Sequence, residues 1–428
     1  MTPWTNRIWM TQKGLDYLNN GIAIYPGLDN TVEENLALID TAAAAGITRV
    51  FTSMHIPESD HHALKEEIGT LLSAARAHHM EVISDVSPQT LGALGLKTFT
   101  PSKFRMLGIT TVRMDYGFSP QEIARISHNN QNIRIQLNAS TLTPHILHEL
   151  ADAKADFSRI DAMHNFYPRI GTGLSEALLV RRNAPLHSLG IRVGAFVTTR
   201  DGRRRSPYGE GLPTLEAHRR MPPAHAARHL VALGIDSVIL ADSLPTEEEI
   251  RTLGSLQDNC VTLEAELLTS DPAVRELLSH TFTSRVDAAR DAVRAQESRI
   301  IIAKAHTTIA PAEAHERTRG TITIDNKTAG RYMGELDIMK RTLPADPRVN
   351  VCARIIPEDL PLLGCITPGR KFSFILHSKN ASSDDIMEDN LARATRKDSL
   401  HEQNEHAAGG GNAAIASDHE KRRAQQGK

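Results

Sequence analysis

The sequence predicts an α/β fold: an N-terminal (β/α)8 TIM barrel over residues 18–262, then a small, mostly β domain over residues 263–376. Three observations point there. Eight short apolar runs alternate with amphipathic helical stretches through about residue 260. Near-continuous apolar runs are what parallel strands covered on both faces look like. The stretches between the runs open on legible helix-start signals. Past residue 262 the rhythm changes to period-2 alternation, which reads as half-covered strands.

The runs are GIAIYP (21–26), RVFTS (49–53), EVISDV (81–86), TVRMDYG (111–117), IRIQLNAS (133–140), RIDAMHNF (159–166), IRVGAFVT (191–198) and SVILADS (237–243). Between them, TVEE (31–34) and SPQE (119–122) are capping boxes, in which a hydroxyl and a Glu three residues on satisfy free backbone N–H groups. Pro120 stands at a first helical position, and TPSK (100–103) and TPHI (143–146) repeat the Thr-Pro start. Gly46, Gly108, Gly190 and Gly234 fall where helices must stop before the next run. Eight βα units in this length imply a barrel. A doubly wound sheet could use the same units, but no GxGxxG follows the first run, and YPGLDNT (25–31) is a poor phosphate cradle.

In the second domain TITIDNK (321–327), RVNVCARI (348–355) and RKFSFIL (370–376) read as strands. DAARDAVRAQESR (287–299) reads as a polar helix or linker, and DNKTAGRYMGELDI (325–338) as a Gly-rich polar connection. Residues 1–17 form an extension without a long apolar stretch, so no signal peptide is expected. From residue 377 to 428 there is no aromatic residue, and charges of both signs alternate with Ser, Asn, Gln and a GGG at 409–411. Such a segment cannot bury enough apolar surface to offset its ordering entropy, so a disordered tail is expected, with a transient helix near 386–397.

The bulk numbers exclude several function classes. Of 428 residues 40% are hydrophobic, enough for a sizeable core. The formal net charge is −2, without the clustered basic excess of a nucleic-acid surface. No run approaches the eighteen apolar residues of a membrane span. The three cysteines, Cys260, Cys352 and Cys365, are odd in number and lack CxxC spacing, which fits a reduced, cytoplasmic protein.

Active sites of barrels sit at the C-terminal ends of the strands, and polar residues collect there. They are Tyr25, Thr52 and Ser53, Asp85, Asp115, Asn138 and Ser140, and Asp242. The sixth run ends in the densest cluster: DAMHNFYPRIGTGLS (161–175) packs His164, Asn165, Tyr167 and Arg169 beside two glycines. After the seventh run comes GEGLPTLEAHR (209–219), a long loop with Glu210 and Glu216, preceded by the basic run RDGRRRSPYG (200–209). Long loops of this kind are often functional. The basic run reads either as a solvated face or as an anion site for a phosphate or carboxylate. Asp85, Asp115, Glu210, Glu216 and Asp242 are the candidate carboxylates for general acid–base work. Each has a structural alternative, as a helix cap or an Arg partner. Arg331, Tyr332 and Lys327 in the second domain could face a ligand or be ordinary loop residues. Histidines cluster near helix ends without HExxH or other ligand spacing, so no metal is expected. There is no GxSxG elbow and no Walker loop.

With GIAIYPG, FTS, DYGF, LNAS, HNFYP…TGLS and EGLPTLEAHR in order, the chain resembles the 6-phospho-N-acetylmuramidases over roughly residues 18–376. The family pairs a (β/α)8 barrel with a cyclophilin-like β domain carrying an RYxGEL loop, here RYMGEL (331–336). The resemblance implies a cytoplasmic glycoside hydrolase of cell-wall recycling, with no metal or organic cofactor. It would cleave 6-phospho-N-acetylmuramyl-β-1,4-N-acetylglucosamine to MurNAc-6-phosphate and GlcNAc. The partner would be that phosphorylated disaccharide, with no nucleic acid and no membrane insertion; a homodimer is allowed. On this reading Asp115 and Glu210 carry the chemistry, one of them as general acid. Tyr25, Asp85, Asn138, His164, Asn165, Tyr167, Glu216 and Asp242 bind the sugars, and Arg331 and Tyr332 lie near the phosphate. The 2-acetamido group makes substrate-assisted hydrolysis an alternative to a protein nucleophile. Two other classes compete: a phosphosugar lyase or aldolase, and a non-catalytic sugar-phosphate sensor. No run ends in Lys, which counts against a Schiff-base aldolase.

Overall fold

The structure is a computed structural model and describes residues 19–53, 61–93, 96–114 and 116–378. Asp115, the N-terminal extension and the tail beyond residue 378, with its expected helix, lie outside the described residues. The chain divides into two units. One runs to Thr262 and includes Pro361–Phe372; the other comprises Leu263–Leu360 and the residues from Ser373 on.

The first unit is a closed parallel barrel of eight strands in sequential order. They are β1 (Gly21–Ile24), β2 (Arg49–Ser53), β3 (Glu81–Val86), β4 (Thr111–Met114), β5 (Arg134–Asn138), β6 (Ile160–Met163), β7 (Val193–Val197) and β8 (Ser237–Leu240). Each predicted run carries one strand. Around them lie α1 (Val32–Ala44), α2 (His61–Ala77), α3 (Pro88–Ala93), α4 (Pro101–Met106), α5 (Pro120–Ser127), α6 (Pro144–Asp152), α7 (Glu176–Ser188), α8 (Pro223–Ala232) and α9 (Glu247–Gly254). The Thr31/Glu34 and Ser119/Glu122 capping boxes both form, and a third forms at Thr246/Glu249. Thr143 caps α6 with its side chain, whereas Thr100 makes no such bond at α4. Gly46, Gly108, Gly190 and Gly234 all take positive φ, as the helix stops require.

Alternation within the strands explains why the runs are apolar throughout. Ile22, Val50, Val82, Val112, Ile135, Ala162, Val193 and Val238 face the helices in one large buried cluster. Their neighbours Ala23, Phe51, Ile83, Met163, Phe196 and Ile239 form a second cluster in the barrel interior. There Phe51 and Phe196 meet edge to face at 5.3 Å. The same inward register continues downward to a buried polar layer. Arg49 donates to Glu81 at 2.8 Å and to Asp161 at 3.0 Å, and reaches the Ser237 hydroxyl at 3.3 Å. Continued upward, it aims Tyr25, Asp85, Arg113, Asn138 and Thr198 at the C-terminal mouth. Strand pairing agrees, since Asp85 sits opposite Arg113 and Asn138 opposite Met163.

A seven-stranded sheet makes up most of the second unit, the first residues of two of its strands being counted with the first unit. Its strands are β9 (Cys260–Leu267), β10 (Phe282–Thr283), β11 (Ala292–Arg294), β12 (Thr321–Asp325), β13 (Leu336–Met339), β14 (Val349–Ile355) and β15 (Lys371–Ser378), in the order β10-β15-β9-β14-β12-β13-β11. Two short helices, α10 (Pro272–Leu278) and α11 (Ser298–Lys304), accompany it. The expectation of a polar helix or linker over 287–299 is corrected here. Ala292 and Val293 pair antiparallel with Met339 and Ile338 as an edge strand, and α11 begins at Ser298. Three residues with two small buried side chains are too short a strand to register as alternation. None of the three cysteines forms a disulfide.

Candidate active site

Three side chains from three strand ends form a chain across the mouth. Arg113 of β4 donates to Asp85 of β3 at 2.7 Å and to the Asn165 amide oxygen at 2.5 Å. A guanidinium as buried as Arg113 requires such partners, because an unpaired buried charge carries a desolvation cost of several kcal/mol. Arg113 thereby orders Asp85 and Asn165, two of the predicted site residues, into one hydrogen-bonded row.

Behind that row stands a second one. The Asn165 N–H donates to the Ser140 hydroxyl oxygen at 2.9 Å, and the Ser140 N–H donates to the Asn138 side-chain oxygen at 3.0 Å. Ser140 Oγ lies 3.1 Å from His164 Nδ1, and His164 Nε2 lies 2.8 Å from the Asn183 oxygen on α7. The Asn183 oxygen accepts, so His164 carries its proton on Nε2 and Nδ1 accepts from Ser140. Burial pushes the His164 pKa down to about 4, so the ring is neutral.

The β7–α8 loop is bolted down by three carboxylates. Asp242, fully buried, accepts from Thr198 Oγ1 at 2.5 Å, from the Thr199 N–H at 2.9 Å and from the Arg205 N–H at 3.1 Å. Burial raises its pKa. Glu249 accepts from the Thr199 hydroxyl and from the Arg200 N–H at 2.8 Å. Asp29 accepts from the Ser206 N–H at 3.0 Å and from the Ser243 hydroxyl at 2.5 Å. Gly211 (φ +83°) completes the turn, and a Cβ there would meet Thr198 Oγ1 at 2.2 Å. Only glycine fits both conditions.

A fourth carboxylate ties that loop to the one after β6. Glu216 receives both arms of Arg219 at 2.7 Å, and also the Gly171 and Gly173 N–H groups at 2.9 and 2.8 Å. Those bonds, led by Arg219, hold its carboxyl at a pKa of about 2. Arg219 spends its remaining donors on the carbonyls of Tyr167, Arg169, Glu210 and Gly211. Gly173 must be glycine here, since a Cβ would lie 2.7 Å from the Glu216 nitrogen. On the same seam Glu210 Oε2 accepts from the Ile170 N–H at 2.7 Å. The Tyr167 N–H donates to the Pro213 carbonyl at 3.0 Å.

Two family models match this chain: 6-phospho-N-acetylmuramidase, N-terminal, over residues 20–255, and 6-phospho-N-acetylmuramidase, C-terminal, over residues 261–375. The chain belongs to the 6-phospho-N-acetylmuramidase family. This makes it an enzyme of glycosidase type. A crystal structure of an uncharacterized B. cereus protein is similar to this family member at 30% identity and a TM-score of 0.69, covering 84% of this chain and 99% of that one. So is a conserved protein of unknown function from a locus in Enterococcus faecalis, at 34% identity and a TM-score of 0.59, covering 87% of this chain and 99% of the other. No curated protein matches the chain.

In this 6-phospho-N-acetylmuramidase family member the predicted site residues take different places. Asp85, Asn138 and Asn165 are joined at the mouth through Arg113 and Ser140, while Tyr167 and Glu210 lie on the seam between the loops after β6 and β7. Three others are taken up by contacts within the protein. His164 is fully buried with both ring nitrogens occupied by Ser140 and Asn183, so within the protein it orients Ser140 and, through it, Asn165. Asp242 is fully buried and consumed by Thr198, Thr199 and Arg205, and Glu216 is consumed by Arg219 and two glycines. Both are loop fasteners. Tyr25 is buried to 1% exposure, and its hydroxyl donates to the Ala241 carbonyl at 2.7 Å, leaving its ring as an apolar wall. Arg331 and Tyr332 belong to the second unit, where Arg331 donates to the Tyr332 hydroxyl at 2.8 Å and Arg299 stacks on the same ring. Asp115 lies outside the described residues.

The residues that sequence reasoning missed are Arg113, Arg219 and Asn183. Arg113 had a signal: a cation at an inward position of a buried strand must be paired. Arg219 follows Glu216 at i+3, a common ion-pair spacing. Asn183 had none. Among the described residues no group of three or more His, Cys, Asp or Glu could hold a metal ion, and no helix is long and apolar enough to cross a membrane.

Proposed function

We propose that this enzyme hydrolyses 6-phospho-N-acetylmuramyl-β-1,4-N-acetylglucosamine to MurNAc-6-phosphate and GlcNAc, in the cytoplasm, during cell-wall recycling. The observation that carries the reading is the Glu210 carboxylate at the mouth of a family-matched barrel. One of its oxygens is fixed by the Ile170 N–H, while Oε1 has no hydrogen bond among the described residues. A carboxylate oriented through one oxygen and open at the other suits proton transfer to or from a glycosidic oxygen or water. Asp115, next after β4, is its proposed partner. In the reaction the bond from the muramyl anomeric carbon to the GlcNAc oxygen breaks and water supplies the new oxygen. One carboxyl protonates the leaving oxygen. The second carboxyl either attacks, activates the water, or steers the 2-acetamido oxygen onto the anomeric carbon.

The remaining mouth residues fit sugar recognition. Asp85 and Asn165, ordered by Arg113, present acceptor and donor groups to hydroxyls, and Asn138 and Tyr167 flank them. The second unit is read as a cyclophilin-like domain. Neither nucleic acid nor membrane insertion enters this reading, and the near-balanced charge supports that. The test is incubation with the phosphorylated disaccharide, with and without EDTA, followed by mass spectrometry. Release of both products under either condition supports the reading, and an intact disaccharide refutes it.

A further inference from the structure

The basic run 200–209 carries four arginines, and the structure separates them by what each guanidinium does. Arg203 binds Glu34 at 2.8 Å, and also Asn30 and the Asp29 carbonyl, so it ties the loop to the start of α1. Arg204 donates to the Thr199 carbonyl at 3.2 Å within the same loop. The Arg200 side chain is exposed. Arg205 alone turns over the barrel interior. Its guanidinium carbon lies 4.8 Å from the centre of the Tyr25 ring and 5.2 Å from that of Phe166. Phe166 in turn packs edge to face on Phe196 at 5.2 Å, so the cation rests on an aromatic wall continuous with the interior cluster.

This guanidinium makes no ion pair among the described residues, and its Nε is buried without a hydrogen-bond partner, although its charge acts on the Tyr25 hydroxyl and on Asp29. A half-buried cation stacked on an aromatic face, with its outer donors directed away from the wall, is suited to an anionic ligand. Its place is also built with care. The Arg205 N–H is held by buried Asp242, the next residue's N–H by Asp29, and the Arg205 carbonyl by the Gly209 N–H at 3.1 Å. The loops after strands 7 and 8 are where barrel enzymes commonly hold phosphate.

We infer that Arg205, stacked on Tyr25 and Phe166, is the residue that binds the sugar 6-phosphate and makes the site selective for phosphorylated substrate. The inference rests on the reading under Proposed function for the identity of the sugar. Stacking fixes the plane of the fork, so the donors along its free edge reach phosphate oxygens in bidentate fashion. Lys at this position keeps the charge and loses both the fork and the stacking geometry.

The test measures binding by calorimetry for wild type, Arg205→Gln and Arg205→Lys. The ligands are MurNAc-6-phosphate, GlcNAc-6-phosphate, MurNAc and inorganic phosphate. Arg205→Gln is expected to weaken both sugar phosphates at least about tenfold, the size of a lost charged hydrogen bond, and to leave MurNAc within about twofold. Arg205→Lys recovers part of the loss. The melting temperature stays unchanged, because the loop is held through the backbone of residue 205. A loss that follows MurNAc instead assigns Arg205 to the lactyl carboxylate and overturns the phosphate role. Equal losses for all ligands, or none, overturn it as well. If wild type binds no sugar but binds inorganic phosphate through Arg205, the substrate reading fails and the phosphate site stands. If it binds none of the four ligands, both fail.

Discussion

Replacing Glu216 by Gln tests how the two loops of the mouth are held together. Gln keeps the shape but removes the charge that balances Arg219, which is 4% exposed. The Glu216 carboxyl is held at a pKa of about 2. Against an ordinary value near 4.5, that shift corresponds to at most about 3 kcal/mol of stabilisation. A third of the side chain faces water, so screening brings the expected loss to about 1.5–2 kcal/mol. In a domain of this size that lowers the melting temperature by about 4–8 °C. The sign of the pH dependence follows from the direction of the shift. The folded state binds this proton less readily than the unfolded chain, so the contribution is complete above about pH 5 and is lost as pH falls toward 2. Thermal melting from pH 7 to pH 3 should show the wild type losing this margin on the acid side, with Glu216→Gln already low at pH 7 and correspondingly flatter. The same variant loosens Gly171 and Gly173, and with them the Ile170 N–H that orients Glu210, so turnover should fall as well. An unchanged melting curve at neutral pH together with the wild-type acid slope would refute the fastener role.

Other perturbations have equally definite outcomes. Burial holds the His164 pKa at about 4, so a neutral isostere such as Gln should remove a stability slope between about pH 6.5 and 4, where the wild type weakens as the unfolded chain takes up its proton. The pH–rate profile should show no His164 titration near 6.5; an activity step there that disappears in His164→Gln contradicts the assignment. Asp161→Ala leaves the Arg49 guanidinium with half its counter-charge in the barrel floor. It should cost about 3–5 kcal/mol in urea denaturation while KM stays within about twofold; a large KM change with intact stability argues against a purely structural floor.

The barrel was legible because its physics is local and repeated. Strand faces covered by helices on one side and by Phe51 and Phe196 on the other leave apolar runs, and Thr31, Ser119 and the stop glycines punctuate them. Site chemistry was legible only as far as strand ends. His164 and Asp242 sit at strand ends as predicted, yet each follows an inward-facing residue, Met163 and Ala241, and turns away from the mouth. The two-residue period of a strand contains that information. Arg219 at i+3 hinted that Glu216 is paired, but its role as a fastener rests on two backbone N–H groups of another loop, Gly171 and Gly173, more than forty residues away. The arginines of the basic run look alike in sequence, and only the carboxylates that capture Arg203, or fail to capture Arg205, tell them apart. The edge strand Ala292–Arg294 was hidden by its brevity and its charged neighbours.

The central claim is that Glu210 performs chemistry on a 6-phosphorylated muramyl disaccharide. The most direct measurement is steady-state hydrolysis of that disaccharide by wild type and by Glu210→Gln, with products identified by mass spectrometry. The account predicts release of GlcNAc and MurNAc-6-phosphate by wild type, and a fall in kcat of about 10²–10⁴-fold in the variant with KM changed only a few-fold. An intact disaccharide with wild type, or a Glu210→Gln enzyme that turns over as fast as wild type, would contradict it.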